Sequence, residues 1–342
     1  MIISRTPFRV SFFGGGTDYP AWYHGEPGAV LSTTIDKYCY ISCRVLPPFF
    51  SLRHRVVWSH IETVASVAEI LHPAIREGLR FLGFDDTVGL EIQHQGDLPA
   101  RTGMGSSSAF AVGLINALTA LRCQMISKQD LARKAIELEQ EHLKENVGCQ
   151  DSVAAAHGGF NIIRFTRDSE IQVQPVTVSP TRLAELESRL LLVYTGTPRF
   201  ASAIAADVVA NMKNRGAHLR RMRSMVDEAV GILNGGDNLD EFGRLLHENW
   251  MLKRELSPSV STETIDTVYQ TAIEQGALGG KLLGAGGSGF MVFYVPPDRA
   301  AAVVRALPTC LHVPFRFERE GSTILYYSID GTLKPGSVGV AA

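Results

Sequence analysis

Two α+β domains are what this 342-residue sequence predicts, on three observations. The chain is longer than one core ordinarily organises, at about 150 residues per domain. Strand-like and helical patterns occur in both halves without the steady alternation of a doubly wound sheet. Hydrophobic residues make up 45% of the chain and charged residues 20%, enough apolar material for a core in each half and too little charge for a disordered chain.

Taken in order, Val10-Ser11-Phe12-Phe13 reads as a strand halted by the turn Gly14-Gly15-Gly16-Thr17-Asp18-Tyr19-Pro20. Further strands are expected at 38–45 and 88–93 from their β-branched and aromatic content. Cys39 and Cys43 would share one strand face as core residues. A helical run follows at 109–121, interrupted by Asn116 and Thr119. Ser127 is the expected N-cap of the next helix, with Asp130 at its third position, and this helix should reach about residue 145. The turn Ser179-Pro180 divides the chain into 1–180 and 181–342. The second half opens with a strand at 190–194 and a loop ending at Arg199. Helical patterns then dominate 201–275, before a glycine-dense segment and a strand at 290–295.

Composition excludes several function classes. Lys plus Arg total 33 against 35 Asp plus Glu, a net charge of −2, which argues against a basic nucleic-acid coat. The five cysteines form no Cys-x-x-Cys pair, so neither a disulfide scaffold nor a zinc ribbon is expected. Arg5 and Pro7 stand where a signal peptide needs its apolar stretch, and the run at 109–121 is shorter than the ~20 residues that span a bilayer. The expectation is a soluble, cytoplasmic protein with no nucleic-acid or membrane partner, self-association being left open.

Two glycine-rich segments carry chemical signals. In Leu98-Pro99-Ala100-Arg101-Thr102-Gly103-Met104-Gly105-Ser106-Ser107-Ser108-Ala109, glycines would let the backbone approach an anion, and the free N–H groups at the start of the following helix suit phosphate. The serines could add hydroxyl donors or a magnesium ligand; the alternative is an ordinary serine-capped helix. The later segment, 276–289, has seven glycines in fourteen residues. Its Gly284-Ala285-Gly286-Gly287-Ser288-Gly289 spells a dinucleotide fingerprint but leads into a strand where that fingerprint needs a helix. No P-loop sequence is present.

Together with Arg9-Val10-Ser11-Phe12-Phe13-Gly14-Gly15-Gly16-Thr17-Asp18-Tyr19, these segments resemble the three ordered motifs of the GHMP kinases. Met104 and Ser108 depart mildly from the usual P-x-x-x-G-L-G-S-S-A-A form of the middle motif. Within the superfamily, Gly14 to Pro20, Leu31-Ser32-Thr33-Thr34-Ile35-Asp36-Lys37-Tyr38 and Gly148-Cys149-Gln150-Asp151 look most like the D-glycero-D-manno-heptose 7-phosphate kinases. Galactokinases would carry Gly-Glu-His in place of Gly14-Gly15-Gly16. The resemblance implies a ribosomal-protein-S5-like N-terminal domain and a ferredoxin-like C-terminal domain. It also implies transfer of phosphate from ATP to the anomeric hydroxyl of heptose 7-phosphate, for nucleotide-activated heptose synthesis. A kinase for another sugar such as fucose, and a sugar sensor that has lost catalysis, are the rivals.

Site residues follow from the same resemblance. ATP phosphates would lie along Gly103, Met104, Gly105, Ser106, Ser107 and Ser108. Setting Leu131 at zero and advancing 100° per residue puts Glu139 at about 80°, inside the apolar arc, and Glu137, Glu141 and Glu145 on the polar face. A buried carboxylate needs a partner. That partner is either a salt bridge or Mg2+, and the resemblance favours Mg2+ held by Glu139 with Ser107 or Ser108. Asp151 opens an apolar helical run and could be only its N-cap. The resemblance instead places it at the acceptor hydroxyl, with Arg9 against it and offsetting charge on the transferred group. Gly15, Gly16, Thr17, Asp18, Gly286 and Gly287 are the expected acceptor-binding residues. Arg199, Lys253 and Arg254 are candidates for holding the acceptor's phosphate, or else solvated surface charges. The basic run Lys213, Arg215, Arg220, Arg221 and Arg223 reads as a solvated helix face.

Overall fold

A computed structural model of the chain describes residues 1–47, 49, 52–196, 201–236 and 238–329, the side chains at 201–203 excepted. Arg199 therefore lies outside the described residues. The first strand, Ile2–Phe13, is longer than expected and is almost wholly buried. It pairs antiparallel with the 18-residue strand Gly28–Val45, whose second half is the expected strand at 38–45. This long strand changes its second partner halfway: its start pairs with Phe160–Phe165 and its end with Leu90–Gly96. Nine strands make up this sheet among the described residues.

A second sheet orders Leu311–His312, Leu190–Tyr194, Phe290–Tyr294 and Gly279–Leu282, all antiparallel. The helix Asp240–Arg254 crosses it closely. A Cβ on Gly279 would lie 2.0 Å from the Gly243 carbonyl oxygen, so only glycine allows that approach.

The chain does not stay in the second half once it enters it. Phe317–Glu318 pairs with the long strand and Thr323–Tyr327 with the first strand. This corrects the assignment of all of 181–342 to one unit, because residues 317–327 complete the first sheet. The Ser322 hydroxyl fixes the return, accepting from Asn116 Nδ2 (3.0 Å) and meeting Thr6 Oγ1 (2.8 Å). Asn116 sits in the helix Ser106–Leu121, buried from Ser108 to its end, and this contact accounts for a polar residue there.

Ser127 caps the following helix, accepting from the Asp130 amide, as the sequence leads one to expect. The regular helix ends at Glu137, continues as one wide π turn at Leu138–His142 and stops there, three residues short of 145. Helices Ala201–Asn211, Gly216–Asn234, Asp240–Arg254 and Glu263–Glu274 fill the expected helical region. Among the described residues no helix is long and apolar enough to cross a membrane.

Candidate active site

The alternation of the first strand places Phe8, Val10 and Phe12 in the core and turns Arg9 and Ser11 into a cleft. Arg9 is 3% exposed. Its Nε and Nη2 donate to Asp151 Oδ1 and Oδ2 at 2.7 and 2.6 Å, and its Nη1 donates to the Gly103 carbonyl at 2.7 Å. This fork fixes the Asp151 carboxylate in orientation as well as charge. Asp151 is in the first turn of the helix Gln150–His157, whose cap residue is Cys149, so the N-cap alternative is set aside.

The serine-rich segment forms the neighbouring wall. Gly103 and Gly105 take φ of 85° and 74°, where glycine alone is unstrained, and Gly105 precedes the helix Ser106–Leu121. The Ala109 amide bonds back to the Gly105 carbonyl at 2.8 Å. The amides of Ser106, Ser107 and Ser108 therefore precede the helix's own ladder, at its positive end. Asp151 Oδ2 lies 3.4 Å from where a Cβ on Gly105 would stand, so the carboxylate abuts the start of this loop.

The third glycine-rich segment backs onto the second. A Cβ on Gly284 would be 2.5 Å from Gly103 Cα, and one on Gly289 would be 2.3 Å from the Thr102 carbonyl oxygen. These glycines bring two backbones into contact. Gly284 and Ala285 line the cleft, whereas Gly286 and Gly287 are buried. Gly286 packs on Val260 and the Gly287 amide donates to the Val260 carbonyl at 2.9 Å. Their expected acceptor contact is corrected accordingly.

Gly15, Gly16 and Asp18 line the cleft. Thr17 does not, being wholly buried with its hydroxyl on the Gly14 and Ala29 carbonyls. Asp18 is 1% exposed and accepts from the amides of Gly16 (2.9 Å) and Gln150 (3.3 Å). Burial, and then the Asp151 charge, push its carboxyl up to about 6. A Cβ on Gly148 would stand 1.9 Å from Asp18 Oδ2, which is why Gly148-Cys149-Gln150-Asp151 can close over it.

Glu139 is 1% exposed, while Glu137 is half-buried and Glu141 is exposed. The hydroxyls of Ser107 (3.2 Å), Ser108 (2.8 and 2.9 Å) and Ser152 (2.6 Å) donate to its carboxylate. Burial, helped by the charges of Glu145 and Asp151, pushes it up to about 7 against the opposing serine hydrogen bonds. Among the described residues no group of three His, Cys, Asp or Glu side chains is arranged for a metal. A cation here would rest on one carboxylate, serine hydroxyls and oxygens brought by a ligand, the hard donor set that suits Mg2+.

Other expected residues fall elsewhere. Met104 is core, its carbonyl accepting from the Arg9 amide. Ser108 is buried on Glu139. Arg254 pairs with Asp266 at 2.8 Å, outside the cleft lining. Lys253 does line the cleft, 9% exposed, with Nζ donating to the Leu282 and Gly284 carbonyls at 2.8 and 2.6 Å. Of the basic run, Arg220, Arg221 and Arg223 are ion-paired with Glu26, with Glu228 and Glu248, and with Asp227. Sequence reasoning missed Ser11, Gln150 and Lys281 as cleft residues, and Glu145 and Arg101 beside the serine loop. Lys281 carried no signal in the sequence, because the full burial of its strand, Gly279–Leu282, is set by what packs around it.

Comparison with known proteins identifies the family. The model of the GHMP kinases N-terminal domain matches residues 62–159 and that of the GHMP kinases C-terminal domain matches 230–312, together more than half of the chain. A D-glycero-alpha-D-manno-heptose 7-phosphate kinase of Campylobacter jejuni is 28% identical over 90% of this chain and 93% of its own. A bifunctional fucokinase/GDP-fucose pyrophosphorylase of Arabidopsis thaliana is also 28% identical, over 87% of this chain but 30% of that longer protein. The crystal structure of a D-glycero-D-manno-heptose 1-phosphate kinase from Bacteriodes thetaiotaomicron superposes with a TM-score of 0.78, covering 96% of this chain and 100% of that one, at 24% identity. That last likeness speaks to the fold. With both domain models matched in order around a cleft that joins a serine-rich helix start to an arginine-held carboxylate, the protein is a phosphotransferase of the GHMP kinase family.

Proposed function

We propose that this enzyme transfers the terminal phosphoryl group of ATP to the anomeric hydroxyl of D-glycero-D-manno-heptose 7-phosphate, giving the 1,7-bisphosphate used in nucleotide-activated heptose synthesis. The observation that carries the reading is the Asp151 carboxylate, forked by Arg9 and lying against the Gly105 turn that opens the serine-rich helix. An acceptor hydroxyl bonded to Asp151 is thereby beside a phosphate held on the amides of Ser106 to Ser108. The hydroxyl oxygen bonds to the terminal phosphorus as the bond to the bridging oxygen breaks and ADP leaves, and Asp151 takes the hydroxyl proton. Arg9 offsets charge on the transferred group while holding the base in place. Positioning and charge stabilisation supply most of the acceleration in such transfers.

Mg2+ fits the pocket of Glu139 with Ser107 or Ser108, where among the described residues the buried carboxylate is met by serine hydroxyls. When bound, the ion neutralises phosphate charge. Asp18 accepts hydrogen bonds from sugar hydroxyls beside the space left open at Gly15 and Gly16. The relatives named for heptose 7-phosphate and for fucose support a sugar acceptor. The test is ADP release with Mg-ATP across heptoses, hexoses and their terminal phosphates. Turnover highest on heptose 7-phosphate is expected. Preference for unphosphorylated fucose would replace the assigned substrate, and no turnover on any sugar would favour a sensor.

A further inference from the structure

The cleft holds two lysines that the transfer described so far does not use. Lys253 comes from the helix Asp240–Arg254 and Lys281 from the strand Gly279–Leu282, and both line the cleft although only 9% and 3% exposed. Among the described residues their hydrogen-bond partners are carbonyl oxygens: Leu282 and Gly284 for Lys253, and Phe12, at 2.7 Å, for Lys281. An ammonium carries three N–H donors, so Lys253 keeps one and Lys281 two beyond these bonds. The nearby carboxylates are already engaged, Asp151 by Arg9 and Asp18 by two backbone amides.

Burial and then the Arg9 charge push Lys253 down to about 7, and burial, Lys253 and Arg9 hold Lys281 well below the usual lysine range. Two buried amines whose protonated forms are opposed by burial, by each other and by Arg9 gain their charge when an anion sits against them. Two further atoms are unsatisfied in the same wall. Among the described residues Ser11 Oγ and Gln150 Oε1 are buried without a partner, Ser11 being 6% exposed. A Cβ on Gly15 would stand 3.9 Å from Ser11 Oγ and 3.6 Å from Gln150 Nε2, so both side chains border the space that Gly15 leaves open.

We propose that Lys253 and Lys281, with Ser11 at their edge, form a phosphoryl-dianion subsite on the Asp18 and Asp151 side of the cleft, built from elements other than the serine-rich helix. It rests on reading the cleft as a phosphoryl-transfer site. The dianion comes either from a phosphate on the acceptor or from the group in transfer, and the chemistry of recognition is the same: charged N–H donors with a hydroxyl beside them.

The test titrates inorganic phosphate into the full chain with Mg-ADP saturating, so that the serine loop is filled. Binding is followed by calorimetry or by fluorescence, since the Trp250 ring centre lies 6.0 Å from Lys253 Nζ. Saturable binding at millimolar phosphate is expected, weakened about ten-fold or more in Lys253→Met and in Lys281→Met, which keep the apolar stem and lose the charge. Unaltered Mg-ADP affinity shows that the variants fold. Should either fail to fold, Ser11→Ala is expected to weaken phosphate binding by several-fold. No phosphate binding by the wild type, or unchanged binding in folded lysine variants, overturns the subsite. Kinetics then name the source. A KM rise confined to the phosphosugar assigns the acceptor's phosphate; an equal fall in kcat on phosphorylated and unphosphorylated sugars assigns the group in transfer. Lysine-dependent phosphate binding with no turnover on any sugar would remove the proposed activity and leave the subsite standing.

Discussion

Replacing Glu139 by Gln removes a buried negative charge while keeping the side chain's shape. The carboxyl is 1% exposed and pushed from its ordinary 4.5 to about 7, chiefly by burial. An acid raised in the fold is a liability wherever it is ionised. The penalty is near zero below the unfolded value, grows between 4.5 and about 7, and is complete above that. Linkage puts it at about 3 kcal/mol at pH 8 and about 1.4 kcal/mol at pH 5.5. The serine hydroxyls can rotate to meet an amide, so the hydrogen-bond loss is nearly the same at both pH values. Relative to wild type, ligand-free Glu139→Gln should therefore be about 2 kcal/mol better at pH 8 than at pH 5.5, or roughly 3 °C in Tm for a chain of this length. Differential scanning fluorimetry of the two proteins at both pH values measures this. Adding Mg2+ and nucleotide should stabilise wild type more than the variant. A variant-minus-wild-type difference that is the same at both pH values, or that falls as pH rises, would refute the claim that burial raises the Glu139 carboxyl.

Asp151→Asn should lower kcat by about 100-fold or more while leaving both KM values within a few-fold, because shape is kept and the proton acceptor is lost; an unchanged kcat in the folded variant would remove Asp151 from the acceptor hydroxyl. Glu139→Gln should raise the Mg2+ concentration needed for half-maximal rate, and Glu137→Gln and Glu141→Gln should not, since neither of those acids is buried; equal effects at all three would sink the assignment. Gly148→Ala would set a Cβ on Asp18 Oδ2, so acceptor KM should rise roughly ten-fold with ADP affinity held and stability lowered by about 1–3 kcal/mol. Arg254→Ala should leave phosphosugar KM unchanged, as its guanidinium is committed to Asp266, and a ten-fold rise would reopen it as a phosphate ligand.

The sequence by itself determined what depends on neighbours in the chain. The left-handed glycines of the Gly103 to Gly105 turn, the serine run at a helix start, the Ser127 cap and the inward azimuth of Glu139 are all short-range consequences of residue type and helical period. The wheel survived the π turn at Leu138–His142, because one widened turn does not carry Glu139 off the apolar arc. The glycines of 284–289 were legible as glycines but not in their purpose. Gly284 and Gly289 serve close approach to Gly103 and Thr102, nearly two hundred residues away in sequence, and Gly286 and Gly287 turn to Val260 rather than the cleft. Long-range packing also decided which charges matter. Lys253 is one of three candidate cations in the sequence, and Lys281 is not among them, until the second sheet and its covering helix close over both; Arg220 and Arg221 meet Glu26 and Glu248 only through folding, while Arg223 pairs with Asp227 one turn on in its own helix. The return of residues 317–327 to the first sheet had no local signal, since strand pairing is set by which edge and which face remain open once the rest has folded.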